Sequence, residues 1–192
     1  MKDKLTLRNV LICSAAFLAL LVFIFSFLTT LVLKDSGNVM TDFNIIWGAN
    51  KTRLVSGGTT IEQVIDPAYG PAVMPLLGTL MVFIGGIAAV VIALLVKDEK
   101  IRRICLFVCA GLILVGGVFH FFTYNSYANA VVKYYNAHKT SLQPTMTVQD
   151  YLDANKDSNP SVALAIVSGI LGVLGGAAVC ASQFVPDKKL GK

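Results

Sequence analysis

Few side chains in this sequence have types and spacings that could support chemistry. His120 is the one Asp, Glu, Lys, Arg or His residue inside the long apolar runs, and Cys105 and Cys109 stand one helical turn apart in the same run. Two such cysteines could contribute to a metal site, and two histidines could hold a haem. The cysteines have no histidine or carboxylate beside them in sequence, and His138, the other histidine, lies beyond the apolar run. We therefore expect packing roles for these residues and no catalytic, cofactor or metal site.

A second set of reactive side chains occurs twice, at matching places in two polar segments. Residues 47–52 read Trp-Gly-Ala-Asn-Lys-Thr and residues 135–140 read Tyr-Asn-Ala-His-Lys-Thr, so an aromatic residue precedes Ala-x-Lys-Thr in both. Each is followed by a threonine-led stretch that ends in aspartate, at 60–66 and 147–153. Matched lysines and aspartates could bind a polar or anionic ligand, although such residues more often face water or cap helices. The candidate interaction or ligand residues are Trp47, Lys51, Asp66, Tyr135, Lys139 and Asp153.

The composition indicates which elements carry these residues. Of the 192 residues, 55% are hydrophobic and 14% are charged, whereas soluble domains are about a quarter charged. Four runs free of Asp, Glu, Lys and Arg, at 10–33, 73–96, 104–124 and 162–185, reach the length of about 20 residues that a helix needs to cross a bilayer. The sequence therefore predicts an all-α integral membrane protein with a bundle of four transmembrane helices.

The basic residues predict the orientation of these spans. Ten of the 16 Lys and Arg residues flank one side, and the other six lie in the two longer segments between spans. Because basic residues concentrate in cytoplasmic loops, we expect a multi-pass plasma membrane protein with both termini in the cytoplasm. The net charge of +5 is then a topology signal with some attraction to anionic headgroups, and nucleic-acid binding is not expected. Asn50-Lys51-Thr52 would be a glycosylation sequon on the outer side.

The two matching segments also predict an internal duplication of a helical hairpin. The first half, 1–98, would contain the span 10–33, an outer loop 34–70 and the span 73–96. The second half, 99–192, would contain the span 104–124 with a helical extension to about residue 138, an outer loop 139–160 and the span 162–185. Thr60 with Gln63 and Thr147 with Asp150 have capping-box spacing, so each outer loop is expected to form a small helical lobe. Both hairpins would enter from the same side and be related by a pseudo-two-fold axis along the membrane normal.

Glycines predict where the helices touch. Lipid gives little hydrophobic force between helices, so small residues three or four positions apart mark close backbone approaches. The first span has no glycine, whereas the other three have several. The candidate helix-packing residues are Gly78, Gly85, Gly86, Gly116, Gly117, Gly169, Gly172, Gly175 and Gly176.

Together these features favour a non-enzymatic tetraspan protein that works by association. It would be an accessory subunit or interaction scaffold in the lipid bilayer, whose outer lobes meet another membrane protein or a second copy. The alternative is a small channel or carrier for a neutral or lipid-like solute, which four helices could form only as an oligomer. An intramembrane enzyme would have to rely on His120 and the Cys105/Cys109 pair. The layout of four spans and two outer loops resembles that of tetraspan proteins such as claudins, but the cysteine pair of the claudin outer loop has no counterpart here, so the resemblance implies the layout alone.

Overall fold

The computed structural model describes residues 6–28, 31–33, 38–40, 51–56, 59–64, 74–155 and 161–185. The helices are α1 (Leu7–Phe25), α2 (Met74–Leu95), α3 (Glu99–His120), α4 (Thr123–His138), α5 (Val148–Ala154) and α6 (Ala163–Ser182). The strands are β1 (Leu31–Leu33), β2 (Asn38–Met40), β3 (Lys51–Ser56) and β4 (Thr59–Val64).

Four of the helices, α1, α2, α3 and α6, are long and apolar enough to cross a membrane. They have 19 to 22 residues, which at 1.5 Å per residue gives about 29 to 33 Å, the thickness of a hydrocarbon core. The prediction of four helices that are long and apolar enough to span a membrane is confirmed. The first helix is shorter than the predicted span 10–33, because α1 ends at Phe25 and residues 31–33 form β1. The sequence between them, Ser26 to Thr30, contains a serine and two threonines, which are poorer helix formers than the leucines and alanines before them.

Contacts within the chain define two compact units. The bundle unit comprises residues 1–24, 77–120 and 167–192, and the segment unit comprises residues 25–76 and 121–166. The core of the bundle unit repeats at helical spacing: α1 contributes Ile12, Ala15, Ala19 and Val22, and α3 contributes Leu106, Cys109, Ala110 and Ile113. Half of these eight side chains are alanine or cysteine, and such small residues let helices approach closely.

In the bundle unit, glycines allow helix backbones to touch directly. A Cβ on Gly78 of α2 would lie 2.7 Å from the carbonyl oxygen of Gly116 on α3, and a Cβ on Gly117 would lie 2.7 Å from the backbone nitrogen of Val173 on α6. Neither position has room for a side chain unless the backbone shifts. Helix α3 therefore touches α2 on one side and α6 on the other, backbone to backbone.

Two glycine pairs make corresponding contacts. A Cβ on Gly86 of α2 would meet Ala16 and Ala19 of α1, and a Cβ on Gly176 of α6 would meet Ala110 and Leu114 of α3. The preceding glycines reach further helices: Gly85 lies against Cys109 and Ile113 of α3, and Gly175 lies against Ala15 of α1 and Ile113 of α3. The order of buried and exposed residues is the same over 81–90 and 171–180.

In the segment unit, the described residues between α3 and α6 form the helices α4 and α5, so this part of the chain is helical, as predicted. The predicted helical extension to about residue 138 is present as α4, which ends at His138 and is separated from α3 by Phe121 and Phe122. Tyr127 and Ala130 of α4 form a small apolar core, and Tyr151 of α5 packs against it.

The first long segment does not form the predicted helical lobe. The sequence predicts a capped helical turn from Thr60, but β4 (Thr59–Val64) pairs antiparallel with β3 (Lys51–Ser56). Lys51 lies opposite Val64 and Ser56 opposite Thr59, and β1 and β2 make a second, shorter antiparallel pair. The prediction of two equivalent helical lobes is therefore wrong. The physical reason is composition, since this stretch is rich in threonine, valine and isoleucine around Gly57-Gly58, a combination that favours a hairpin.

Candidate functional site on α4 and α5

Helix α5 begins at a capping box. The backbone N–H of Asp150 donates to Oγ1 of Thr147 at 3.1 Å, and Oδ2 of Asp150 accepts from the Thr147 backbone N–H at 2.8 Å and from its hydroxyl at 2.6 Å. These bonds hold the pKa of the Asp150 carboxyl below its usual value, because they stabilise the charged form. The capped turn that the sequence predicts at Thr147 is confirmed.

Side chains fix the connection between α4 and α5, residues 139–147. Asn136 binds Met146 twice: its Nδ2 donates to the Met146 carbonyl at 2.8 Å, and its Oδ1 accepts from the Met146 N–H at 2.9 Å. The Lys139 ammonium donates to Oγ1 of Thr145 at 2.6 Å and to the Gln143 carbonyl at 3.4 Å. The Gln143 side chain accepts from the Thr140 N–H at 3.0 Å. We call this connection the 139–147 loop; its backbone is held at both ends and in the middle.

An apolar side chain stands at the tip of the 139–147 loop. Leu142 is 95% exposed, and it lies between Thr140 and Gln143, the two residues whose hydrogen bond closes the turn. Burying a leucine is worth about 1.5 to 3 kcal/mol. The loop thus presents an apolar side chain on a fixed backbone.

The structure assigns local partners to several of the predicted site residues. Tyr135 donates a long hydrogen bond of 3.5 Å to the Pro144 carbonyl, so it and Lys139 both hold the 139–147 loop. Asp153 accepts from Gln149 at 2.9 Å on the surface of α5. Lys51 lies in β3, and Trp47 and Asp66 lie outside the described residues. The sequence did not single out Leu142, whose only signal is an apolar residue in a polar stretch.

Three tyrosines pack together where α4 meets α5. Tyr127 is fully buried, and Tyr124 and Tyr151 pack around it. Burial raises the pKa of the Tyr151 hydroxyl far above its usual value, and the neighbouring Tyr127 and Tyr124 add to the effect. The packing of these rings holds the two helices together.

The buried histidine of the bundle unit has a hydroxyl partner. His120 is 1% exposed and Thr79 is fully buried, and Nε2 of His120 lies 3.5 Å from Oγ1 of Thr79. This pair joins α3 to α2 beside the contact between Gly78 and Gly116. Within the described residues no three His, Cys, Asp or Glu side chains are grouped to hold a metal ion.

Sequence reasoning also missed a polar cluster where α1 and α3 begin. Arg8 is 7% exposed; its Nη1 lies 3.3 Å from Oε1 of Glu99, and its Nη2 donates to Oε1 of Gln183 at 3.3 Å. Glu99 also pairs with Arg102 at 3.4 Å. A single arginine thus links the first turns of α1 and α3 to the residue that follows α6, which places these three helix ends together.

Comparison with protein-family models, with curated proteins and with solved structures finds no match for this chain.

Proposed function

We propose that this protein is a non-enzymatic tetraspan membrane protein that works by association, as an accessory subunit or interaction protein whose contact surface is the 139–147 loop. The observation that carries the proposal is Leu142, 95% exposed on a loop that Asn136, Lys139 and Gln143 fasten. A single exposed leucine on a mobile loop would mean little. On a fixed loop it is ready for contact, since ordering the loop adds no further cost on binding.

The proposed orientation puts both termini in the cytoplasm of a plasma membrane protein. It is supported by the basic residues at one end of the bundle, the end at which Arg8, Glu99 and Gln183 meet. The basic residues that begin α1, link α2 to α3 and begin α3 all belong to this end of the bundle; they are Arg8, Lys97, Lys100, Arg102 and Arg103. Basic residues mark the cytoplasmic end of a span.

The proposed origin is duplication of a hairpin, restricted to the membrane helices. Its support is a correspondence between glycine contacts. Gly86 contacts Ala16, and Gly176, 90 positions after Gly86, contacts Ala110, 94 positions after Ala16. The contacts between the two proposed hairpins show the same offsets. Gly85 contacts Cys109, and Gly175, 90 positions after Gly85, contacts Ala15, 94 positions before Cys109. A pseudo-two-fold axis between the hairpins would produce this pattern. The two long segments diverge from it, one with strands and the other with helices.

The association is tested with a charge placed at the loop tip. We expect Leu142→Asp to reduce recovery of a crosslinked partner or second copy from mild detergent at least about tenfold, which corresponds to about 1.4 kcal/mol. The matched control is Asn125→Asp, which adds the same charge at an exposed position of α4 outside the loop and should leave recovery near that of the wild type. A wild-type protein that runs as a lone monomer without crosslinked partners would contradict the proposal.

The alternative of a small channel or carrier finds less support. The described bundle core consists mainly of apolar residues in contact with one another, so a solute path would have to form between chains. Flux of a neutral solute into vesicles that contain the purified protein, absent from empty vesicles, would favour this alternative.

A further inference from the structure

A groove runs between α1 and α2 on the outside of the bundle unit. It has a volume of ≈ 620 Å³, and its walls include Asn9, Cys13 and Phe17 of α1 and Val90, Ala93 and Leu94 of α2. The lining is mainly apolar, and Cys13, Phe17 and Leu94 are exposed in it. All of these residues belong to helices that are apolar enough to span a membrane, so the groove opens to lipid.

The length of the groove matches one leaflet. Its α1 wall extends from Asn9 to Leu18, about 14 Å at 1.5 Å per residue. Half of a hydrocarbon core is about 15 Å thick. The groove begins one residue after Arg8, so it occupies the leaflet at the basic end of the bundle.

The width of the possible occupants distinguishes them. A helix with its side chains is about 10 Å across, so only one of its faces could enter the groove. An acyl chain is much thinner than a helix and needs no hydrogen-bonding partners. The groove therefore suits a lipid tail better than the helix of a partner protein or of a second copy.

The charges at the end of the groove indicate the headgroup. Lys97 follows Leu94 by three residues and is exposed, as is Lys100. Two carboxylates lie beside these lysines: Asp98, whose Oδ1 accepts from the Ile101 N–H at 3.0 Å, and Glu99, which is paired with Arg8 and Arg102. With Arg8, Arg102 and Arg103, the basic residues at this end outnumber the two carboxylates. Basic residues near a membrane surface attract anionic lipid.

We infer that this groove is a binding site for an anionic phospholipid, with a tail between α1 and α2 and the headgroup near Lys97. Asn9 supplies the polar side chain at the headgroup end, and Cys13 and Phe17 lie along the tail. The site is independent of the association proposed for the 139–147 loop, since the two share no residue.

Native mass spectrometry of the full-length protein in mild detergent, with equal amounts of phosphatidylglycerol and phosphatidylcholine, tests this inference. We expect one retained lipid, with phosphatidylglycerol preferred at least about threefold. Cys13→Phe fills the groove and should reduce retention at least about tenfold. Val108→Phe, which enlarges a 67% exposed side chain on α3, is the matched control and should retain lipid as the wild type does. The Lys97→Glu variant should still retain a lipid but should lose the preference for phosphatidylglycerol.

Three results would overturn the inference: no retained lipid in the wild type, equal retention by Cys13→Phe and the wild type, or no preference between the two headgroups. An unchanged preference in Lys97→Glu would overturn the placement of the headgroup. A second measurement covers the case in which Cys13→Phe does not fold. With Trp47→Phe as background, a tryptophan introduced as Phe17→Trp should be quenched more by phosphatidylglycerol with brominated tails than by the phosphatidylcholine analogue. Val108→Trp should be quenched equally by both, and equal quenching at Phe17→Trp would contradict the site.

Discussion

At the scale of single residues, Asp150 shows how one carboxylate fixes the start of a helix. It accepts two hydrogen bonds from Thr147 and donates its own backbone N–H to the threonine hydroxyl. The Thr147 hydroxyl and, after it, the Thr147 N–H lower the Asp150 pKa from its ordinary 3.8. A carboxyl with a lowered pKa in the folded state stabilises that state above its unfolded pKa, and the contribution is lost as pH falls through the folded value.

We therefore predict that Thr147→Ala raises the Asp150 pKa toward 3.8, because the mutation removes the hydroxyl that favours the charged form. It should also cost the start of α5 about 1 kcal/mol. The carboxyl carbon shift of Asp150 in a pH titration by NMR measures the first effect. Ser141→Ala is the control, since Ser141 is exposed on the same loop. An Asp150 titration that is the same with and without the Thr147 hydroxyl would contradict the capping geometry.

Single buried polar residues could be located from the sequence, but their partners could not. His120 stands out in an apolar run, yet its neighbour Thr79 depends on how α2 and α3 rotate against each other. Arg8 lies among other basic residues at the start of the chain. Its burial against Glu99 and Gln183 becomes visible only when three helix ends are brought together.

At the scale of elements, two sequence motifs of the same kind gave different structures. Thr60 with Gln63 and Thr147 with Asp150 both have capping-box spacing, but only the second begins a helix. The stretch around Thr60 is dominated by β-branched residues on either side of two glycines, whereas 148–154 contains Gln, Leu and Ala. The preference of the whole window outweighed the spacing of two residues, because a cap contributes only about 1 kcal/mol. The four membrane helices were predictable for the opposite reason, since each has a signal about 20 residues long.

The glycine contacts predict a sharp contrast between two positions on α3. Gly117→Ala would place a Cβ 2.7 Å from the backbone nitrogen of Val173, and overpacking of this kind costs about 1 to 3 kcal/mol. Gly111→Ala meets nothing within 4 Å, and replacing a helical glycine with alanine gains about 0.5 to 1 kcal/mol. Thermal unfolding in mild detergent should show a lower midpoint for the first variant and an equal or higher one for the second. Equal midpoints would mean that α3 and α6 do not approach at Gly117.

At the scale of the whole molecule, the proposed topology has a direct test. The native cysteines all lie in the membrane helices α1, α3 and α6, so in a background without them a single introduced thiol reports its side of the membrane. We expect a membrane-impermeant maleimide added to intact cells to label Ser141→Cys. Lys100→Cys should be labelled only after the cells are permeabilised. The reverse pattern would invert the orientation, and labelling of both in intact cells would contradict the placement of the two sites on opposite sides.

The place of Ile113 between α2 and α6 has a consequence for motion. Its Cγ1 lies 2.7 Å from where a Cβ on Gly85 of α2 would stand, and its Cγ2 lies 3.5 Å from the corresponding point on Gly175 of α6. The two arms of one β-branched side chain thus touch two helices, and χ1 of such a residue is stiff. Sliding α2 past α6 would require this side chain to change rotamer inside a filled core. We therefore expect rotamer exchange of Ile113 to limit any sliding of α2 past α6.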